Sequence, residues 1–565
     1  MVLLSRDTHD LTEEETYREY GYVSVKDGTR LAWVLWRPRE SRRYPVILNY
    51  SVYWESGTPF DQVKRFLEAG YAYVGVNVRG SGASAGTFSY FQPVEADDGA
   101  EIVQWAAAQG WSTGSVGMIG ASYGAHTQLA VAALRPAALK AIVPISVDGC
   151  EYADEARPGG LFNAALLADW AFKLQPEAAL RGLEARIAGG DSQCGAIGTG
   201  LLRNPSYYEV MQHPLYDEWW QARALHTRID RVRVPTLIIQ AWQDEYIRPN
   251  GALRLFEKLT DAPKRLILQN GPHRLSMYRF NQTEQMRWLD RWVKGQPNGV
   301  EAEPAVTVLW EVTEQDTAGE VAPSWTSSYP TWPPQNIRWT TLYLTVGGDL
   351  CFEPPAAGDE TRTRSYIYPI GTELVGDERQ FALEPAPAGA LSYRTPALTS
   401  ELFLLGSPQL SVFFSCDQVD TDFMFTLKDI DSDGNTLFLQ RSVLRASLRA
   451  LDADLSSPHE LVQSFRQVDP LVPNSIYQAT LSVSALGHVV RRGHRLELSI
   501  LSPPSLASPV WGFAPEFPAS VNTIYHGRAY PSALKLPVLA AEKAPRPAPA
   551  AGALSNQPCR RAKAR

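Results

Sequence analysis

The sequence predicts an α/β domain with a parallel sheet, interrupted by a helical insertion and followed by a β-sandwich. Three observations support this fold class. Short apolar runs alternate with helix-length amphipathic segments before residue 298, one interval between two of those runs is about 90 residues long, and the chain after residue 304 alternates apolar and polar residues at period two. Alternating strands and helices are typical of a doubly wound α/β domain, and period-two alternation is typical of half-buried strands.

The predicted parallel sheet rests on six short apolar runs. They lie at 46–48, 73–76, 116–119, 141–145, 236–240 and 265–268. Amphipathic segments at 61–69, 95–108 and 122–134 predict helices that cross between the strands. We therefore assign residues 1–146 and 231–298 to the two parts of one α/β domain.

The interval between the fourth and fifth runs is too long for a simple crossover between parallel strands. It contains helical segments at 160–174 and 177–188 and an aromatic-rich segment at 207–220. We interpret residues 147–230 as a helical cap inserted over the sheet. Such a cap would cover a site at the sheet edge and set its specificity.

A Gly/Pro-rich linker follows the second part of the α/β domain. After it, apolar and polar residues alternate at period two, with turn residues between the runs. Examples lie at 341–346, 409–414, 422–428 and 495–500. We assign residues 304–540 to a β-sandwich. The remaining residues, 541–565, are rich in Ala, Pro and basic side chains, which predicts a disordered tail.

Composition excludes several classes of function. The net charge is −8 with a pI near 5.7, and the sequence has no basic stripe, so we expect no nucleic-acid partner. The five cysteines form no CxxC pair, which predicts neither a metal site nor a disulfide framework. The amino-terminal apolar run is too short for a signal peptide, and no apolar stretch is long enough to span a bilayer. We expect a cytoplasmic protein without a membrane partner.

The strongest chemical signal is a G-x-S-x-G motif formed by Gly120, Ser122 and Gly124. It follows a predicted strand and opens a predicted helix, which is the context of a nucleophile elbow. Small residues there permit a sharp turn that projects the serine hydroxyl above the sheet edge. The backbone N–H of Tyr123, at the start of the helix, would then face a developing oxyanion.

A nucleophilic serine needs a histidine base and an acid that orients the base, each placed just after its own strand. Asp244 follows the run at 236–240, and His273 follows the run at 265–268. Glu245 is an adjacent alternative to Asp244. Ser122, His273 and Asp244 are therefore the predicted nucleophile, base and orienting acid.

Two further motifs carry a resemblance to a known family. The segment that starts at Asn77 reads Asn-Val-Arg-Gly-Ser-Gly-Ala-Ser-Ala-Gly, and the segment that starts at His213 reads His-Pro-Leu-Tyr-Asp-Glu-Trp-Trp. With the elbow, they resemble the CocE/NonD-type family of cocaine esterases, α-amino acid ester hydrolases and X-prolyl dipeptidyl peptidases, from about residue 22 to residue 539. Asn77 stands where the family has Asp. The resemblance implies an α/β-hydrolase fold with a cap and a carboxy-terminal jelly roll that helps to wall the pocket.

The resemblance also implies an oxyanion hole and a substrate pocket. In the family a tyrosine hydroxyl completes the oxyanion hole, and Tyr53 stands at the matching position, with Tyr50 as a neighbouring alternative. Trp170 matches an aromatic that lines the pocket. Carboxylates bind the substrate ammonium in the amino-ester branch, which makes Asp154, Glu155 and Glu245 candidates here, with solvated surface charge as the alternative. The loop after Asp244 reads Glu245-Tyr246-Ile247 instead of that branch's acid cluster, and Tyr246 is a further substrate-binding candidate.

Together these features predict a serine hydrolase, an esterase, acylase or dipeptidyl-peptidase, that cleaves an ester or amide of a small molecule or short peptide through an acyl-enzyme. The mechanism requires no metal or organic cofactor. An acyltransferase or biosynthetic tailoring enzyme would use the same acyl-enzyme, and a catalytically silent binding protein is a second alternative. The sequence leaves open the substrate and whether the chain forms a homo-oligomer.

Overall fold

The structure is a computed structural model that describes residues 10–194, 204–356, 361–370, 387–504, 511–540 and 542–562. Residues 195–203 of the predicted cap, and 541 and 563–565 of the predicted tail, lie outside the described residues. The helices are α1 (Phe60–Glu68), α2 (Val94–Ala108), α3 (Tyr123–Ala133), α4 (Ala164–Asp169), α5 (Gln175–Ala188), α6 (Ser206–Gln212), α7 (Glu218–Gln221), α8 (Asn250–Lys258) and α9 (Arg279–Trp292). Among these described helices, none combines the length and apolarity needed to cross a membrane.

A ten-stranded mixed sheet forms the centre of the amino-terminal domain. The strands of this part of the chain are β1 (Thr16–Ser24), β2 (Arg30–Pro38), β3 (Tyr44–Ser51), β4 (Ala72–Asn77), β5 (Ser112–Ala121), β6 (Leu139–Ile145), β7 (Thr236–Ala241), β8 (Lys264–Gln269), β9 (Val306–Trp310), β10 (Thr313–Glu314), β11 (Val321–Ala322) and β12 (Trp325–Tyr329). The order across the sheet is β1-β2-β4-β3-β5-β6-β7-β8-β9-β12, and β10 pairs with β11 in a separate ribbon.

The site is positioned by the parallel part of this sheet. Strands β4, β3, β5, β6, β7, β8 and β9 run parallel to one another, so their carboxyl ends share one edge. All six residues of β4 and of β7 are buried, as expected for strands covered on both faces. The six predicted strands and the crossover helices are confirmed. Strands β1 and β2, which pair antiparallel at the sheet's edge, were not predicted.

The predicted helical insertion is also confirmed. Between β6 and β7 the chain forms α4 to α7 together with two short π-helical turns, Tyr152–Ala156 and Trp170–Leu174. The first π-turn carries Glu155 and the second begins at Trp170. Glu155 and Trp170, two of the candidate pocket residues, therefore lie in irregular helical turns of the cap.

The carboxy-terminal domain is built from two antiparallel sheets, as the sequence predicts. Its strands are β13 (Ile337–Leu344), β14 (Leu350–Cys351), β15 (Arg362–Tyr368), β16 (Ala390–Arg394), β17 (Leu402–Gly406), β18 (Gln409–Cys416), β19 (Asp422–Ile430), β20 (Thr436–Arg445), β21 (Tyr477–Ser482), β22 (Leu486–Val490), β23 (Arg495–Leu501), β24 (Ser520–His526), β25 (Ala533–Leu539) and β26 (Cys559–Arg560). One sheet has the order β16-β23-β19-β20-β26, and the other contains the remaining nine strands. Phe414 and Phe425, from opposite sheets, share one apolar core between them.

Two predicted assignments differ from the structure. Strands β9 and β12, which the sequence analysis includes in the sandwich, extend the first sheet instead, with β9 parallel to β8. The predicted disordered tail is ordered over its described residues, because β26 pairs with β20 and Asn270 donates to the carbonyl of Ser555. Composition did not predict this order, because backbone and polar contacts hold the tail and no large apolar face is needed.

Candidate active site

Ser122 lies at the sharp turn between β5 and α3. Its backbone has φ 57° and ψ −124°, a conformation that a residue with a side chain rarely adopts. The turn brings Gly120 so close to Gly124 that a Cβ atom on Gly120 would lie 2.7 Å from the Gly124 carbonyl oxygen. Close packing therefore requires a glycine at 120, and the serine is held in a strained elbow.

Asp244 and His273 meet at the same edge of the sheet. The two carboxylate oxygens of Asp244 lie 2.9 and 2.8 Å from Nδ1 of His273. Asp244 is in turn fixed by the backbone N–H groups of Tyr246 and Ile247, each 2.9 Å from Oδ1. Burial alone would lower the pKa of His273, but the Asp244 carboxylate outweighs it and raises that pKa. Ser122 and His273 both lie in the part of the chain that the structure describes, and no hydrogen bond joins them.

The loop that carries Asp244 is held to the loop that carries His273 by Glu245. Oε2 of Glu245 accepts the backbone N–H of His273 at 3.0 Å and the side-chain amide of Asn556 at 3.1 Å. Asn556 also donates to the carbonyl of Gln243 at 2.8 Å. The predicted substrate-binding carboxylate of Glu245 is therefore engaged by protein donors, one of them from the tail. The sequence analysis did not find Asn556, which lies in the segment predicted to be disordered.

Tyr53 lies beside the nucleophile. The indole Nε1 of Trp170 donates to the Tyr53 hydroxyl at 3.1 Å. Burial raises the pKa of Tyr53, while hydrogen bonds from Trp170 and Ser122 oppose that rise. The alternative candidate, Tyr50, is fully buried, packs against Gly99 of α2, and has a hydroxyl without a hydrogen-bond partner among the described residues. The structure thus brings Tyr53, and not Tyr50, to Ser122.

Asn77 explains a departure from the family motif. Its Nδ2 donates to the carbonyl of Tyr53 at 2.9 Å, and its Oδ1 accepts the N–H of Ser56 at 3.0 Å. An ionised carboxylate could accept but not donate, so it could not make both contacts. In this chain the amide fixes the backbone that presents Tyr53.

Aromatic side chains from the cap and from the α/β domain surround this region. Trp170 stacks on Tyr123 at 6.1 Å between ring centroids and meets the edge of Tyr90 at 5.9 Å. Tyr246 lies 4.9 Å from the imidazole of His273. The Tyr123 hydroxyl is directed away from the elbow, because it donates to the carboxyl of Glu95. Trp170 therefore lies against Tyr123, and Tyr246 lies against His273.

The predicted acidic candidates of the cap differ in their surroundings. Asp154 is buried and forms a bidentate ion pair with Arg254, at 2.8 and 2.7 Å, so its carboxylate is engaged by a protein cation and is not solvated surface charge. Glu155 is only partly buried by its neighbours, and burial together with Asp148 and Glu151 raises its pKa well above the usual range. It remains a candidate for a cationic substrate group.

The sequence analysis missed a buried cluster formed by His126, Asp148 and Glu151. Burial raises the pKa of Asp148 to about 6, aided by Glu151. Burial alone would lower the pKa of His126, but the two carboxylates raise it to about 9. The only sequence signal is the Asp-x-x-Glu spacing directly after β6 and a histidine one helical turn after Ser122.

The β-sandwich touches the loop that carries Asp244. Gln440 donates to the carbonyl of Trp242 at 2.6 Å, Gln243 donates to the carbonyl of Leu439 at 3.0 Å, and Trp511 donates to the carbonyl of Glu245 at 2.8 Å. The second domain is therefore bonded to the backbone on both sides of the candidate acid.

Comparison with known proteins identifies the family. Residues 27–274 match the family model described as X-Pro dipeptidyl-peptidase (S15 family), and residues 298–535 match the model described as X-Pro dipeptidyl-peptidase C-terminal non-catalytic domain. The chain belongs to the S15 family of serine hydrolases. The predicted family and the prediction of a hydrolase are thereby confirmed, and this S15 hydrolase is an esterase or an Xaa-Pro dipeptidyl-peptidase.

Relatives of this S15 hydrolase include both an esterase and a putative Xaa-Pro dipeptidyl-peptidase. It is 26% identical to a cocaine esterase of Rhodococcus sp., with 92% of this chain and 97% of the relative covered. It is 23% identical to a putative Xaa-Pro dipeptidyl-peptidase of Rhodopirellula baltica, with 78% of this chain and 69% of the relative covered.

Solved structures share the fold of this S15 hydrolase. A CocE/NonD family hydrolase from Staphylococcus aureus superposes with a TM-score of 0.75 at 22% identity, covering 92% of this chain and 93% of the other. An α-amino acid ester hydrolase superposes with a TM-score of 0.74 at 19% identity, covering 95% and 100%. At these identities the likeness establishes the fold.

Proposed function

We propose that this S15 hydrolase cleaves an ester or amide bond of a small-molecule or short-peptide substrate through an acyl-enzyme on Ser122. The observation that carries the proposal is the pair of 2.8 and 2.9 Å contacts between Asp244 and Nδ1 of His273, at the sheet edge where Ser122 occupies a strained elbow. The carboxylate fixes the proton on Nδ1, which leaves Nε2 as the basic nitrogen.

In the first half of the reaction, Nε2 of His273 takes the proton of the Ser122 hydroxyl while Oγ attacks the acyl carbon. The tetrahedral intermediate collapses to the acyl-enzyme, and His273 gives that proton to the departing alcohol or amine. In the second half, His273 takes a proton from water, the hydroxide attacks the acyl carbon, and Ser122 recovers its proton as the acid leaves. Contacts between a serine and its base are often long without substrate, and the proposal expects the hydrogen bond between Ser122 and His273 to form when substrate binds.

The oxyanion of both intermediates is bound by the N–H of Tyr123 and the hydroxyl of Tyr53. This role is supported by the hydrogen bond that Trp170 donates to the Tyr53 oxygen, because it leaves the phenolic hydrogen of Tyr53 available to the oxyanion. Trp170 and Tyr246 line the acyl pocket, and Glu155 is available to a cationic group of the substrate. The contacts of Glu245 support a positioning role, in which it holds the backbone of His273.

A fluorophosphonate probe tests this assignment, since it labels only activated serines. We expect one adduct on the peptide that contains Ser122, and no adduct in Ser122→Ala or in heat-unfolded protein. Ser112→Ala is the matched control, because Ser112 is a buried serine at the opposite end of β5. Labelling that persists in Ser122→Ala would refute the nucleophile.

A further inference from the structure

A buried cluster of three metal-ligating side chains lies outside the proposed catalytic set. His126 is on the first turns of α3, and Asp148 and Glu151 follow β6, where the chain enters the cap. Nδ1 of His126 lies 3.0 Å from a Glu151 oxygen and 3.6 Å from an Asp148 oxygen. The three side chains are 4%, 1% and 0% exposed.

The polar atoms of this cluster are only partly satisfied, since the 3.0 Å contact between His126 and Glu151 is not a well-aligned hydrogen bond. Nδ1 of His126, Oδ2 of Asp148 and both carboxylate oxygens of Glu151 are buried without a hydrogen-bond partner among the described residues. Burying an uncompensated carboxylate is strongly unfavourable, so native structures pair such groups or bind a cation with them. The one imidazole can compensate at most one of the two carboxylates.

The spacing of the donor atoms fits a single metal ion. Ligands about 2.1 Å from a metal are about 3.0 Å apart at a right angle and about 3.4 Å apart at a tetrahedral angle. The two measured separations, 3.0 and 3.6 Å, bracket these values, and all three donor atoms lie within 4.8 Å of one another. No donor atom has to move far to share one ion.

We propose that His126, Asp148 and Glu151 bind a divalent transition-metal ion, such as Zn²⁺, Mn²⁺ or Co²⁺. One imidazole with two carboxylates is a donor set of these ions, whereas Ca²⁺ and Mg²⁺ favour oxygen ligands alone. A divalent ion also balances the charge, since two carboxylates and a neutral imidazole carry a total charge of −2. This site goes beyond the proposed catalysis, in which a metal takes no part.

The position of the proposed metal site, between α3 and the start of the cap, indicates a structural role. His126 lies four residues after Ser122, on the helix that follows the elbow, whereas Asp148 and Glu151 precede the first π-turn of the cap. A shared ion would clamp the start of the cap to the helix that follows the nucleophile. The bound ion should therefore stabilise the fold and leave the serine chemistry itself to the catalytic residues.

Metal content of the full-length protein tests the proposal. We expect protein expressed in medium supplemented with Zn²⁺ or Mn²⁺ to retain about one equivalent after gel filtration, and protein expressed with Co²⁺ to show visible absorption bands. Removal of the ion should lower the melting temperature. Glu151→Gln, which keeps the side-chain shape, should lose both the ion and the dependence of melting temperature on it.

Asp429→Asn is the matched control. Asp429 is a buried carboxylate bound by two imidazoles, at 3.0 Å from His488 and 2.9 Å from His494, so its oxygens are already satisfied. This variant should keep its metal. Wild-type protein that carries no ion under all three supplements, and shows no cobalt bands, would overturn the proposal and leave a protonated histidine as the cluster's cation. Because fluorophosphonate labelling needs no metal, that outcome would not affect the assignment of Ser122.

Discussion

At the scale of single residues, the elbow depends on the absence of a side chain at Gly120. Adding a methyl group there places Cβ 2.7 Å from the Gly124 carbonyl oxygen, so the turn must open and Ser122 must move. We expect Gly120→Ala to lower kcat by at least about tenfold, because a displacement near 1 Å at the reacting group is that costly. Steady-state kinetics with an aryl ester provides the measurement.

The control for this variant is Gly114→Ala. Gly114 also has a positive φ, of 89°, but no heavy atom lies within 4 Å of the position that its added methyl group would take. It therefore introduces comparable backbone strain without a clash at the elbow, and kcat should stay near the wild-type value. Equal losses in both variants would contradict a specific role for the close contact at Gly120.

The oxyanion hole makes a second prediction at this scale. Tyr53→Phe removes one hydrogen-bond donor and should lower kcat about 100-fold, with a smaller change in KM, because the lost bond forms mainly in the transition state. Tyr50→Phe is the control, since the Tyr50 hydroxyl has no partner among the described residues and should have little effect. The reverse ranking of the two variants would assign the donor to Tyr50.

The pH dependence of kcat/KM reports on the His273 and Asp244 pair. The base must be neutral, so activity should fall as pH drops through the pKa of His273, and the Asp244 carboxylate raises that pKa. Asp244→Asn should lower kcat by up to about 10⁴-fold and move the acidic limb to lower pH. An acidic limb that does not move would show that Asp244 does not control the titrating base.

At the scale of elements, the tail should support the catalytic loops. Asn556→Ala removes the donor that joins Gln243 to Glu245, and loss of such bonds is worth about 1 kcal/mol, or about fivefold in kcat. The pH profile should shift as well, because Glu245 holds the backbone of His273. Arg561→Ala is the control, since within the described part of the chain its side chain donates to a tail carbonyl, that of Ala551. Equal kinetics for both tail variants would show that the contacts of Asn556 do not support catalysis.

The sequence predicted the elements that carry Ser122, Asp244 and His273, because each follows a continuous apolar run that buries in a parallel sheet. It did not predict β1, whose mixed burial gives no such run, and it missed β2 although residues 31–36 form a continuous apolar run. It also misassigned β9 and β12, because a period-two pattern identifies a strand and does not identify the sheet that the strand joins.

At the scale of the whole molecule, the candidate site is assembled from segments remote in the chain. The cap supplies Trp170, the tail supplies Asn556 and the sandwich supplies the partners of the Asp244 loop. The family motifs predicted the first of these contributions. Contacts made by Asn556 and Gln440 had no sequence signal, because a single polar residue that reaches a backbone carbonyl leaves no pattern. The cluster at His126 left only a weak signal, which is the Asp-x-x-Glu spacing after β6 and a histidine one turn after Ser122.

The central claim is that Ser122 becomes acylated, and trapping the intermediate tests it most directly. The enzyme is mixed with p-nitrophenyl acetate, quenched in acid within the first turnover and digested for mass spectrometry. We predict one added acetyl group on Ser122 in the wild-type protein, and neither acetylation nor ester hydrolysis above background in Ser122→Ala. Acetylation of a different residue, or undiminished hydrolysis by Ser122→Ala, would contradict the account.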